Sequence, residues 1–406
     1  MPPPRVALLG TFDVDNYGDH LFPRVAAHEL GRRLPGVVVD AFSPYGWRHP
    51  TPLDDGWRAA PLGPWSPARA RHLAGANHLV VIGGGELIHL QDGILAPVYE
   101  ATVDELRRMA PSRWFVEALG PRLEIDCPVV WHGVGVPWVM GDAEAERIRV
   151  ALADRPYVTV RDRHSAERLV KAGVDRPVEV VPDSGLLMER IMPAGSLQAR
   201  LDGLRRAGGY PPPGSAVLVV QGAELVLPQL AGVAAAVAAW EGEVVIVATG
   251  RCRGDNVFAD ALEAAVARRV WRLPDGAAVE DLAAAIAGGD LFLGSSLHGA
   301  ITALAYGRPW ILLNVFDDAK LDGFADLTGL GRFVLHSAEE ASAGLAAAVT
   351  AGPARPELVA ALQRQVDRHF DRLAELASER AAARPVRGRS PRPNAYRRLR
   401  LKLTPR

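Results

Sequence analysis

The stretch Asp290-Leu-Phe-Leu-Gly294-Ser295-Ser296-Leu297-His298-Gly299-Ala-Ile-Thr-Ala-Leu-Ala-Tyr306-Gly-Arg-Pro309-Trp-Ile-Leu-Leu313 decides the fold class. Leu291 to Gly294 is a continuous apolar run that stops at two serines. Leu297 to Tyr306 then has helical spacing, Gly307-Arg308-Pro309 breaks it, and Trp310 to Leu313 is a second apolar run. Two apolar strands joined through a helix form a parallel pair, and strands apolar at every position belong in a sheet covered on both faces.

The same beat recurs on both sides. Strands are predicted at Val6 to Leu9, Val37 to Val39, His78 to Ile82, Val129 to His132, Tyr157 to Val160 and Val178 to Val181, with helices at Ala26 to Leu34, Pro67 to Ala74, Ala96 to Met109, Ala143 to Ala153 and Ser165 to Ala172. Later come strands at Ala216 to Gln221, Glu243 to Ala248 and Val270 to Leu273, and helices at Leu227 to Trp240, Val257 to Ala267 and Val279 to Gly288. Pro193 to Gly214, with Gly208-Gly209-Tyr210-Pro211-Pro212-Pro213-Gly214, interrupts the rhythm as a linker. The expected organisation is a Rossmann-like α/β domain over 1–192, a linker over 193–214, and a second such domain over 215–350. A helix over 351–383 packs back and a basic, disordered tail covers 384–406. Two doubly wound parallel sheets then face each other across a cleft at the C-terminal ends of their strands.

With 406 residues, 49% of them hydrophobic, the chain is long enough for two cores and too apolar to be disordered. No apolar run approaches the ~18 residues of a membrane span, and the Pro2-Pro3-Pro4-Arg5 start lacks the pattern of a secretory leader, so a cytoplasmic protein is expected. Cys127 and Cys252, far apart and each following a strand, read as inert buried thiols. The net charge of −1 conceals a segregation. Nine of the 46 basic residues lie from Arg384 onward, where there is no acidic residue, leaving 37 against 47 acidic ones upstream. Such a tail is either simply solvated or rests on anionic lipid; no nucleic acid partner is expected.

Chemistry-bearing residues gather where strands end. After the first strand, Gly10 to His20 concentrates Asp13, Asp15, Asn16, Asp19 and His20. Carboxylates repel phosphate, so this loop suits sugar hydroxyls or proton transfer, unless it is only a turn with Asp19 capping a helix. Ile82-Gly83-Gly84-Gly85-Glu86 brings backbone N–H groups close to an anion or packs a strand tightly. It is neither a P-loop nor a dinucleotide fingerprint. Val134 to Trp138 supplies a glycine and aromatic wall. The strand ending at Val160 runs into Arg161 and Asp162, where an arginine grips a carboxylate or phosphate through two parallel bonds or pairs with its acidic neighbour. In the opening stretch, Ser295, Ser296 and Gly299 surround a helix start that favours an anion, and His298 on its first turn is placed for acid or base work.

Taken in order, Asn16-Tyr17-Gly18-Asp19, Gly83-Gly84-Gly85, Val160-Arg161-Asp162 with Ser165, Val181-Pro182-Asp183, and Ser295-Ser296-Leu297-His298-Gly299 with Ala305-Tyr306-Gly307-Arg308-Pro309 resemble the polysaccharide pyruvyl transferase family over about Val6 to Leu313. The resemblance implies a glycosyltransferase-B-like pair of domains and transfer of the enolpyruvyl group of phosphoenolpyruvate onto two sugar hydroxyls, giving a ketal on a cell-surface polysaccharide or its precursor. It calls for no metal and no cofactor beyond phosphoenolpyruvate as co-substrate. In that reading Arg161 and the Ser295/Ser296 helix start, with Gly84, Gly85 and Gly299, hold the donor. His298 and then Asp19 move protons, and Asn16, Tyr17, Asp13 and Glu86 meet the acceptor. One position departs: some members have an arginine immediately before Leu-His, where this chain has Ser296. Arg251 and Arg253 are the candidates for the missing cation. The alternatives are a nucleotide-sugar glycosyltransferase, for which Glu224, Arg251 and Asp255 are the obvious ligands, and a non-catalytic glycan-pathway binding protein.

Overall fold

Apolar runs become short parallel strands because each is buried on both faces. A computed structural model describes residues 3–46, 58–117, 125 and 127–383. The first sheet holds β1 (Arg5–Leu9), β2 (Val38–Ser43), β3 (Ala60–Pro61), β4 (Leu79–Gly83) and β5 (Val129–His132) in the order β3-β2-β1-β4-β5, all parallel. β6 (Thr159–Val160) and β7 (Glu179–Val180) pair with each other beside it. The second sheet, also parallel, comprises β8 (Val217–Val220), β9 (Glu243–Ile246), β10 (Trp271–Arg272), β11 (Leu291–Gly294), β12 (Trp310–Leu313) and β13 (Val334–Leu335) in the order β10-β9-β8-β11-β12-β13. The strand order reverses at β1/β4 and at β8/β11. Those are the switch points at which open parallel sheets leave a crevice for ligands.

Three readings change against the structure. The first helix spans Tyr17–Arg33, earlier than the apolar spacing from Ala26 suggests, and Asn16 rather than Asp19 is its N-cap, its side-chain oxygen accepting from the N–H groups of Gly18 and Asp19. The supposed linker contains a 13-residue helix, Ala194–Arg206, packed on the Val279–Gly288 helix through buried Leu197 and Leu201. Between Ala96 and Met109 the chain makes two helices, Ala96–Tyr99 and Val103–Met109, parted at Glu100, whose φ of 48° is left-handed. Helices Ala319–Thr328 and Ala341–Ala351 had no counterpart in the sequence reading.

The last helix, Pro356–Ala383, returns to the first half and packs on the Tyr17–Arg33 helix and on the 3-10 segment Ser184–Arg190. Its Phe370 and Leu373 are fully buried. The basic residues from Arg384 onward lie outside the described residues. Among the described residues, no helix is long and apolar enough to cross a membrane.

Candidate active site

The two halves are joined by the loop that reads as an acceptor site. Asn16 forms an antiparallel bridge with Gly250, the Tyr17 N–H donates to Thr249 O (2.7 Å), and the Cys252 N–H donates to Asp15 O (3.4 Å). Tyr17 is 2% exposed, and its hydroxyl shares a 2.9 Å bond with Thr302 Oγ1; burial pushes the phenol pKa up. Tyr17 therefore ties the halves together. Asp13 is likewise 2% exposed, its carboxylate accepting from the Tyr45 N–H and the Tyr99 hydroxyl. Neither residue lines the cleft, which corrects their expected acceptor role.

A cleft lies between the halves. From the first half it is lined by Asn16, Asp19, Gly85, Glu86 and Arg161, and from the second by Gln221, Arg253, Asp255, Ser295, Ser296, His298, Asp318 and Lys320, among others. Gly84 lies outside it, against Phe22 and Phe12, as tight strand packing would have it.

Arg161 emerges from β6 with its N–H bonded to Val134 O, and its side chain is 5% exposed. A Cβ on Gly135 would come within 2.8 Å of Nη2, so only glycine lets the guanidinium lie against this wall. Nη2 stands 3.5 Å from Glu86 Oε1 and Nε 3.6 Å from Asp162 Oδ2, and neither nitrogen makes a hydrogen bond among the described residues. Asp162 itself caps the Arg163–Lys171 helix through the Ser165 N–H. A buried guanidinium with unfilled donors is costly unless something anionic completes it.

Lys320, at the start of the Ala319–Thr328 helix, faces the same space, paired with Asp318 and 3.4 Å from Glu86. Burial would raise the Glu86 carboxyl, but Lys320, Arg161 and Arg253 hold it at about 2. Glu86 is thus the counter-ion of the cleft's cations. Arg251 does not line the cleft and pairs with Asp15 at 3.3 Å; Arg253 does line it. Arg253, one of the two candidate cations, lines the cleft together with Lys320, and only Lys320 was singled out by no sequence signal.

Donor positions at the Leu297–Ala305 helix are fewer than expected. The Ser295 N–H donates to Gln221 Oε1, and its hydroxyl accepts from the Ala223 N–H. The Gly299 N–H is taken by Ser296 Oγ, the N-cap. The N–H groups of Ser295 and Gly299 are thus used within the protein, although Ser295 lines the cleft, while the first-turn N–H groups of Leu297 and His298 keep no intrahelical acceptor. Asp19 accepts from Thr11 Oγ1 at 2.6 Å, and burial raises its carboxyl pKa. Asp255 Oδ2 accepts from Gln221 Nε2, from the N–H and hydroxyl of Thr249 and from the Gly250 N–H, so it builds the turn carrying Arg253. His298 stands 3.4 Å from Asp183, a residue the sequence marks only as part of a motif.

Cys127 is buried and Cys252 half-buried, its thiol pushed up to about 12 by burial. Among the described residues no three His, Cys, Asp or Glu side chains gather to hold a metal ion.

Two facing parallel α/β domains with a charged cleft at their switch points form the architecture of many sugar-modifying enzymes. The chain resembles in fold the UDP-GlcNAc 2-epimerase of Methanocaldococcus jannaschii in complex with UDP-GlcNAc and UDP (TM-score 0.54, 10% identity, 90% of this chain and 99% of that one). It also resembles the alpha,alpha-trehalose 6-phosphate synthase of Burkholderia multivorans (TM-score 0.53, 13% identity, 96% and 100%). A family model described as polysaccharide pyruvyl transferase matches residues 16–317, and the chain belongs to that family of transferases. No curated protein matches the chain by sequence.

Proposed function

We propose that the protein transfers the pyruvyl group of phosphoenolpyruvate to two hydroxyls of a sugar in a cell-surface polysaccharide or its precursor, forming a pyruvate ketal and releasing phosphate. The observation that carries this reading is the buried Arg161 guanidinium, its Nε and Nη2 without hydrogen bonds, in one cleft with His298. The donor bears a carboxylate and a phosphate. A planar guanidinium accepts either through two parallel bonds, and Lys320, Arg253 and the start of the Leu297–Ala305 helix answer the other charge.

Transfer needs proton traffic. One sugar oxygen attacks the enol carbon and loses its proton, the methylene gains a proton and becomes a methyl, a second hydroxyl oxygen closes the ketal, and as the carbon–oxygen bond to phosphate breaks that hydroxyl's proton passes to the leaving phosphate. His298, which lines the same cleft as the cations, gives and takes protons, and Asp19, made more basic by burial, takes the hydroxyl proton. The tail from Arg384 onward, with its nine basic residues, suits contact with anionic lipid, where a lipid-linked acceptor resides.

The nucleotide-sugar reading has less support: Asp255 Oδ2 already accepts four bonds, Arg251 pairs with Asp15, and neither Arg251 nor Glu224 lines the cleft. Incubation with phosphoenolpyruvate and glycan acceptors, followed by mass spectrometry and phosphate release, tests the proposal. A pyruvylated product is expected, and His298→Ala should lower turnover by about 10²–10⁴-fold with donor affinity nearly unchanged. Wild-type turnover in that variant removes His298 from the mechanism.

A further inference from the structure

The imidazole of His298 is held on two sides by the other half of the molecule. Asp183 follows β7 and opens the 3-10 segment Ser184–Arg190; its Oδ1 accepts the Gly185 N–H at 2.8 Å, which leaves Oδ2 for His298 Nε2 at 3.4 Å. The two side chains are 10% and 18% exposed. On the other side lies Gly18. A Cβ there would fall 2.0 Å from Nδ1 and 2.3 Å from both Cε1 and Cγ, near-equal distances that put it over the face of the ring instead of in its plane. The ring is therefore clamped between a carboxylate at one edge and a glycine on one face, and Nδ1 has no hydrogen-bond partner among the described residues.

We propose that Asp183 is the positioning residue of His298: its carboxylate holds Nε2–H, fixes the neutral ring in that tautomer, and makes Nδ1 the nitrogen that exchanges a proton with substrate. This deepens the functional reading above and rests on it for the substrate, though not for the ring geometry. A carboxylate is needed for the task, because an acceptor-only group with a full charge both selects the N–H tautomer and stabilises the imidazolium formed in the reaction. Burial would raise the Asp183 carboxyl, but His298, the Gly185 N–H and Arg161 lower it to about 2. The other charged groups acting on the pair are Asp19 on the Tyr17–Arg33 helix, Arg161 beyond β6, and Arg253, which acts through Asp19. His132 in β5, its pKa pushed down to about 4 by burial, is neutral near pH 7.

The test pairs a spectroscopic and a kinetic measurement on the full chain. With 15N-labelled histidine, long-range proton–nitrogen correlation of the neutral His298 ring should show Nε2 protonated and Nδ1 bare in the wild type. The opposite tautomer overturns the proposal without any variant. Asp183→Asn keeps an oxygen for the Gly185 N–H and loses the charge. It should mix the tautomers, lower kcat at least about tenfold with little change in donor KM, and move the His298-dependent limb of the pH profile about one unit towards acid. Asp183→Glu should recover part of that limb position. A role confined to capping the Ser184–Arg190 turn predicts an unmoved limb and an unchanged tautomer in the Asn variant, and that result overturns the proposal. If the wild type releases no phosphate from phosphoenolpyruvate, the functional reading fails, and the nitrogen spectra still decide the role of Asp183.

Discussion

Arg161 shows how much a single side chain depends on its neighbours. Its guanidinium is buried, faces two carboxylates beyond hydrogen-bond length, and keeps Nε and Nη2 unfilled. Arg161→Ala should raise the donor KM by a factor equivalent to about 2–5 kcal/mol, with Arg161→Lys failing to restore it, because an ammonium is a point charge and makes no fork. An unchanged donor dependence in steady-state kinetics would return Arg161 to a plain ion pair. Gly18 is the second informative residue. A methyl group there meets the His298 ring at 2.0 Å from Nδ1, so Gly18→Ala should cost about 100-fold in turnover through misplacement of the imidazole. Wild-type kcat in a folded variant would show that the ring can move aside without penalty.

At the scale of elements, the fastening of the last helix is an electrostatic cluster. Arg190 and Arg33 bond Asp367, and Arg33 also bonds Asp371 and the fully buried Glu29. The hydrogen bond from Arg190, foremost, and that from Arg33 lower the Asp367 pKa to about 2 against an ordinary 3.8. A depressed carboxyl contributes stability that is complete above its unfolded pKa and lost as pH falls through its folded one. The wild type should therefore melt higher than Asp367→Asn at pH 7, and the two melting curves should converge between pH 4 and pH 2. A gap independent of pH would mean that packing of Phe370 and Leu373, not charge, holds the helix. Elements were legible where they were long or continuously apolar, as in β1, β5, β11 and β12. The Ala194–Arg206 helix was hidden because the prolines and glycines that punctuate its ends read as linker. The start of the first helix was hidden because its opening turn is polar and supplies the fastening between the halves.

On the scale of the whole molecule, the cleft exists only while both halves are folded and joined through Asn16–Gly250, Tyr17–Thr302 and the returning helix. A ligand bound there stabilises the native state alone, by about 2.7 kcal/mol at a hundredfold excess over Kd. Phosphoenolpyruvate should raise the melting temperature and uridine diphosphate should not; the reverse pattern would favour the nucleotide-sugar alternative.

The amino-acid order alone determined the two parallel sheets and the loops at their strand ends, because strands apolar at every position must be covered on both faces and their helical connections leave ligand loops at one edge. Arg161, Glu86 and His298 were legible as strand-end residues for that reason, whereas Asp19 lies in the first turn of the helix that follows the first loop. Which way a loop side chain turns has no period. Tyr17 and Asp13 turned inward to bond across the fold, while Lys320, remote in sequence, turned into the cleft. The meeting of Asp183 with His298 and Gly18 was decided only when the two halves closed, since three distant segments acquire a common position through packing alone.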